Sequence, residues 1–178
     1  MTAIVGAIVV GWLLADFLSG MIHWLEDRMA RASWPIIGRY VVVPNRLHHS
    51  DPLAFTRCGV IERNWTAWLA AALISGAWLA LAGPSIIWAT ATIGGLVASE
   101  VHCWAHVPAM TPSFARPLQR AGIIQSPAAH QGHHRPNAAA RYCVLTDLIN
   151  PLVDGIRLWA RLERGLSAVG LSVDQDAV

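Results

Sequence analysis

Three apolar runs, each long enough to cross a lipid bilayer, restrict this fold more than any other feature of the chain. The first, residues 4–24, extends from Ile4 to Trp24 with Asp16 as its only acid. At 1.5 Å per residue it makes a helix of about 31 Å, the thickness of a bilayer's hydrocarbon core. Two further runs, 65–82 and 86–107, are separated by Gly83 and Pro84, a turn signal that predicts an antiparallel hairpin. The expected architecture is an all-α integral membrane protein forming a single domain over 1–170. Segments 26–64 and 108–170 lie outside the bilayer, and 171–178 is a flexible tail. No basic stretch precedes the first run and no small-residue cleavage site follows it, so it reads as a retained anchor rather than a secretory signal. Composition agrees: 54% of residues are hydrophobic and 13% charged, against about a quarter charged in soluble domains.

Charge gives an orientation. The chain has no lysine, and its 13 basic residues are arginines confined to 28–63 and 116–164. Three crossings put both regions on one face, which the positive-inside rule makes cytoplasmic together with the C-terminus. The net charge of +2 therefore reflects topology, and no basic stripe interleaved with aromatics points to nucleic acid. Trp24, Trp65 and Trp104 are expected in an interfacial aromatic belt. Cys58, Cys103 and Cys143 have no CxxC spacing and fall at or beyond the reducing boundary, so disulfides are not expected.

Outside the spans, Ser126 and Pro127 predict a short helix over 126–134, stopped by Pro136. Asn150 and Pro151 predict one amphipathic helix with Leu152, Ile156, Trp159, Leu162 and Leu166 on its apolar stripe. Asn64 is placed to cap the second span. Small residues Gly76, Ala77, Ala80, Gly94, Gly95 and Ala98 suit close helix packing, within one chain or in a homo-oligomer.

The chemistry resides in the histidines. There are eight: His23, His48, His49, His102, His106, His130, His133 and His134. Under the three-crossing topology every one falls at the arginine-rich interface. His102 and His106 share a helix face at i and i+4, as do His130, His133 and His134 at i, i+3 and i+4. A lone interfacial histidine is most often a hydrogen-bonded residue, but eight gathered in HxxxH and HxxHH patterns point to metal. Eight imidazoles exceed one tetrahedral zinc, so two metals are implied. Iron accepts imidazole and, with about four nitrogens each, two irons retain open positions for dioxygen. Bis-histidine haem is the main competitor; the adjacent pairs His48-His49 and His133-His134 oppose it, because axial ligands approach from opposite faces. A zinc protease is weaker still, since "HCWAH" lacks the glutamate of HExxH.

The segments "ADFLSGMIHWLED", "HHSDPLAFTR", "HCWAH" and "SPAAHQGHHRPNAAARYCVLTDLINPLVD" resemble, in order and over Ala15 to Arg164, the lipid desaturases of the Kua type, which include plasmanylethanolamine and plastid phosphatidylglycerol palmitate desaturases. The resemblance implies a membrane-embedded enzyme with two non-haem iron ions, all eight histidines as catalytic metal ligands, O2 as co-substrate and a membrane lipid as substrate. It also implies an external electron donor, cytochrome b5-like or ferredoxin-like. Asn137-Ala138 stands where some members carry Pro-His, so an ether-lipid substrate does not follow. A lipid hydroxylase shares the same irons, and a non-catalytic electron-transfer or metal-handling protein is the alternative of another class.

Metal-bound histidines donate their second N–H to a carboxylate or carbonyl, and Asp16, Asp27, Asp51, Glu100 and Asp154 are the candidate acceptors. Asp16 lies two turns from His23 on nearly the same face; a hydrogen bond to Ser99 is its alternative. Asp27 is read as supporting the ligands, with direct ligation or pairing to Arg28 or Arg31 as the other options.

Overall fold

The computed structural model describes residues 1–135 and 139–174. Pro136, Asn137 and Ala138, and with them the family departure noted above, lie outside the described residues, as do the last four positions of the 171–178 tail; the helix expected over 126–134 already ends at His130 and gives way to turns. The described residues form eight α-helices and no strand. Three helices are long and apolar enough to cross a membrane: α1 (Thr2–Arg28), α3 (Val60–Ala82) and α4 (Ile86–His106). Between the first two lie a π-helical turn (Gly38–Val42), α2 (Val43–Ser50) and a 3-10 turn (Ala54–Arg57). After α4 come α5 (Arg116–Arg120), α6 (Pro127–His130), α7 (Ile149–Gly155) and α8 (Leu158–Ala168).

The predicted hairpin is present. Gly83 leaves α3 at φ +73°, a conformation that glycine adopts without strain, and the Ser85 hydroxyl caps α4 by accepting the Trp88 N–H at 3.0 Å. Two indoles then tie α3 to α4: Trp68 Nε1 donates to Leu96 O at 2.9 Å, and Trp88 Nε1 to Ser75 Oγ at 2.9 Å. α1 runs parallel to α4 and touches it closely. A Cβ on Gly94 would meet the Ala15 Cβ at 2.5 Å, so the glycine permits the approach. Outward-facing apolar side chains, such as Leu73 at 66% and Leu81 at 89% exposure, make physical sense only against lipid.

Because α1 and α4 are parallel, their C-terminal ends, carrying His23 and His102, lie together. A segment without regular structure, Arg141–Thr146, threads between these ends and α7–α8 and forms much of the core there: Tyr142, Cys143 and Leu145 are fully buried. Buried irregular backbone needs partners for its amides and carbonyls, and four polar side chains provide them. Asp16 Oδ1 accepts the Leu145 and Thr146 N–H groups at 2.9 and 3.1 Å. Ser19 Oγ accepts Val144 N–H at 3.2 Å. Asn150 accepts the Cys143 N–H at 3.0 Å, and both Asn150 and Gln125 donate to the Cys143 carbonyl at 2.7 Å.

Some sequence expectations change. Trp24 is not in a belt: it is 2% exposed and stacked on Trp159, in a cluster with Tyr142, Cys143 and Val153. Asn64 is not a cap, because α3 begins four residues earlier and Asn64 Nδ2 donates to Val60 O and Glu100 Oε1. The single amphipathic helix after Asn150 is two, broken at Arg157 with φ +52°. The break redirects the chain so that Trp159, Leu162 and Leu166 of α8 cover Trp24 and Tyr142. All three cysteines are free.

Candidate metal centre

All eight histidines converge where α1, α2, α4 and the 127–134 segment meet. They divide into two groups whose ligating atoms lie within 4.8 Å of one another: His48, His102, His106, His130 and His134 in the first, His23, Asp27, His49 and His133 in the second. Each adjacent pair, His48-His49 and His133-His134, contributes one ring to each group. Neighbouring side chains on a helical turn diverge by about 100°, so one short segment serves two sites.

In the first group the Nε2 atoms crowd together. His102 Nε2 lies 3.2 Å from that of His48, 3.2 Å from that of His106 and 2.9 Å from that of His130. His130 Nε2 is also 2.7 Å from His106 Nε2 and 3.0 Å from His134 Nε2. A neutral imidazole carries one N–H, and those protons cannot satisfy a cluster in which each nitrogen faces several others. A metal can: bonds of about 2.0–2.1 Å place neighbouring ligand atoms about 3 Å apart. Burial, and then the neighbouring imidazoles, hold His48 and His130 far below the ordinary histidine range and bring His134 down to about 3. The rings are therefore neutral with lone pairs free. Phe55 packs on this group, its ring centroid 4.6 Å from that of His48 and 5.0 Å from that of His102.

The second group is built around a carboxylate. Asp27 Oδ2 lies 3.2 Å from His49 Nε2, 3.4 Å from His133 Nε2 and 3.6 Å from His23 Nε2. Asn45 Nδ2 donates to Asp27 Oδ1 and fixes its plane. The outer nitrogens are held by backbone: His23 Nδ1 donates to Tyr142 O at 3.0 Å, and His133 Nδ1 to Ala140 O at 2.8 Å. Both bonds set the tautomer that turns Nε2 inward. His23 Nε2, His133 Nε2 and Asp27 Oδ2 are buried without a hydrogen-bond partner, an arrangement unfavourable by itself and suited to a cation.

Of the five acids considered as supports, only Asp27 contacts an imidazole among the described contacts. Asp16 is bonded to the 145–146 segment, and reaches His23 only through the chain that carries the Tyr142 carbonyl. Glu100 pairs with Arg63 at 2.9 Å, Asp51 with Arg57, and Asp154 accepts Trp159 Nε1 at 3.0 Å. Asn45, Phe55 and the two carbonyls were not anticipated from sequence. Asp27 carried a signal, its i to i+4 spacing from His23; the carbonyls carried none.

A groove of about 270 Å³ leads from this centre toward the opposite end of the spans, between α1 and α3 over α4. His23 and His102, one ring from each group, border it at the metal end, and Trp78 and Trp88 at the far end. Its walls combine small residues, alanines and several serines and threonines, with Leu18, Ile22 and Ile74. Glu26 and Asn45 stand at its histidine end.

A family model described as lipid desaturase domain matches residues 12–171. The chain is 28% identical over 183 residues to the plasmanylethanolamine desaturase of Myxococcus xanthus, covering 98% of this chain and 65% of that protein. It is 32% identical over 168 residues to plasmanylethanolamine desaturase 1 of Mus musculus, covering 88% and 62%. It is 33% identical over 163 residues to a probable fatty acid desaturase of Acanthamoeba polyphaga mimivirus, covering 88% and 78%. The chain thus spans less than two thirds of the length of the first two relatives. No solved structure matches. With three spanning helices and such relatives, the chain is an integral membrane protein.

Proposed function

Since the chain belongs to the lipid desaturase family, we propose that it is an O2-dependent, non-haem di-iron desaturase that introduces a double bond into an acyl or alkyl chain of a membrane lipid. The observation that carries the reading is the meeting of two separate ligand groups at the end of an apolar groove. His48, His102, His106, His130 and His134 would hold one iron, and His23, Asp27, His49 and His133 the other. Iron bound there supplies the redox chemistry: dioxygen, two electrons from a carrier and two protons, with two hydrogens from the lipid chain, become two waters and an alkene.

The protein's own contribution is positional. One group would offer a metal five imidazole nitrogens, and the other three imidazole nitrogens with a carboxylate. The Tyr142 and Ala140 carbonyls keep His23 and His133 aimed inward, and Asp27 balances charge in a place shielded from water. The groove brings a hydrocarbon chain to His23 and His102 while the polar end of the lipid stays at the surface. The arginine distribution supports a centre on the cytoplasmic side, where a cytochrome b5-like or ferredoxin-like carrier would deliver electrons.

The test is a comparison of host lipids with and without the gene, alongside metal analysis and a visible spectrum of the purified protein. The expected result is a lipid two hydrogens lighter than its precursor, iron without a haem band, and loss of that lipid in a His102→Ala variant that still inserts into membranes. Zinc as the only metal, or undiminished product from His102→Ala, overturns the reading. A hydroxylated lipid in place of the alkene replaces desaturation with hydroxylation at the same irons.

A further inference from the structure

The groove ends at a built stop. Trp88 Nε1 donates to Ser75 Oγ at 2.9 Å, and Thr92 Oγ1 lies 3.1 Å from Ser75 Oγ and 2.9 Å from Trp88 O. The indole is thus pinned across α3 and α4, and the Ser75 and Thr92 hydroxyls, which also line this end, are hydrogen-bonded to each other. Trp78 lines the same end from α3. Between the two tryptophans and the histidines the bore is set by small side chains, among them Ala67, Ala71, Ala91 and Gly95. α3 and α4 pack closely at that level: a Cβ added to Gly95 would meet the Ala71 Cβ at 3.3 Å.

Length is the second observation. At 1.5 Å per residue Trp88 lies about 21 Å from His102 along α4, whereas one leaflet contributes about 15 Å of hydrocarbon. An extended lipid chain therefore fits between the tryptophans and the histidines, and with its methyl end at the tryptophans its head-group end, not its methyl end, lies nearest the metal groups. The small bore and apolar walls suit a single saturated chain and no ring or head group.

We propose that the groove holds one hydrocarbon chain of a membrane lipid with its methyl end against Trp88, and that Trp88 is a specificity-determining residue: it fixes, by counting from the methyl end, which carbons face His23 and His102. This rests on the desaturase reading for the identity of the reaction but not for occupancy of the groove. The small residues in the second and third spans thus serve both packing and the groove: Gly94 lets α1 approach α4, while Gly95, one position on, lines the groove beside the α3–α4 contact.

Occupancy and stop are tested without turnover. Cells making the full chain are fed palmitic acid bearing a diazirine at its terminal carbon, which enters lipids of every head group, or the same acid with the diazirine near its carboxyl end. After irradiation, the labelled peptides of the purified protein are mapped. The terminal probe is expected at Trp78 and Trp88, and the other probe near Ile22 and Val41. Ala71→Phe, which fills the bore and touches no hydrogen bond, is expected to reduce the terminal label at least tenfold. Trp88→Leu is expected to move that label toward Gly83. Where product is made, Trp88→Leu moves the double bond toward the head group, because the methyl end sits deeper. Label spread over the lipid-facing residues Leu73 and Leu81, equal for both probes and unmoved in both variants, overturns the proposal. If the labels map as expected but no lipid is oxidised, the desaturase reading fails and the groove assignment stands.

Discussion

Asp16→Ala is the substitution with the most informative consequence, because Asp16 touches no ligand and yet underlies the position of one. Its carboxylate accepts the Leu145 N–H at 2.9 Å, the Thr146 N–H at 3.1 Å and the Thr146 hydroxyl. With alanine there, the hydroxyl can rotate to another acceptor, but the two amides remain in a region of zero exposure. Each buried, unsatisfied donor is destabilising by about 1–3 kcal/mol. Two give roughly 2–6 kcal/mol, lessened because the desolvated carboxylate has also gone; about 3 kcal/mol is a fair centre. Asp16→Asn keeps an acceptor for both amides and should lose only about 1 kcal/mol. The same segment carries the Tyr142 carbonyl that holds His23 Nδ1, so Asp16→Ala should also lower the metal content under conditions where the protein is still folded. The assays are denaturant unfolding in detergent, with tryptophan fluorescence as probe, and metal content of the folded fraction. An Ala variant within about 0.5 kcal/mol of wild type, or an Asn variant less stable than Ala, refutes the reasoning.

Two other perturbations follow from buried groups away from the metal. Arg63, with its side chain 2% exposed, pairs with Glu100 at 2.9 Å; Arg63→Ala strands the carboxylate against Asn64 and should destabilise by about 3–5 kcal/mol, while Arg63→Met with Glu100→Leu should recover most of it. Equal melting of the single and double variants would show that the pair is not what matters. Burial pushes the Cys143 thiol well above its ordinary range, so the thiolate fraction stays small as pH rises to 9. Iodoacetamide at pH 8 should label the half-exposed Cys58 and leave Cys143 untouched until denaturant is added; labelling of Cys143 in the folded protein contradicts the packing of the 141–146 segment.

Much of the centre was legible because helical spacing and membrane topology are local rules. Once three spans are set, His23, His102 and His106 must come to one face, and His102 and His106 must share a side. The supporting atoms were not legible. Backbone carbonyls at Tyr142 and Ala140 are present at every residue and carry no sequence signature. Their selection depends on how Asp16, Ser19, Gln125 and Asn150 fix a segment of no regular structure. Trp24 was misplaced for a similar reason: an indole at a span's end suits an interfacial belt, and only the turn at Arg157, which brings α8 back over it, makes it core.

The sequence alone determined that this chain spans a membrane three times and gathers eight imidazoles at one interface, because hydrophobic length and a period of 3.6 residues act within a single helix. Tertiary structure decided how those imidazoles divide into two groups, that Asp27 completes the second, and that a groove bordered by His23 and His102 reaches Trp88. Those outcomes depend on distances between residues far apart in the chain, which packing of α1, α3 and α4 sets and no local pattern encodes.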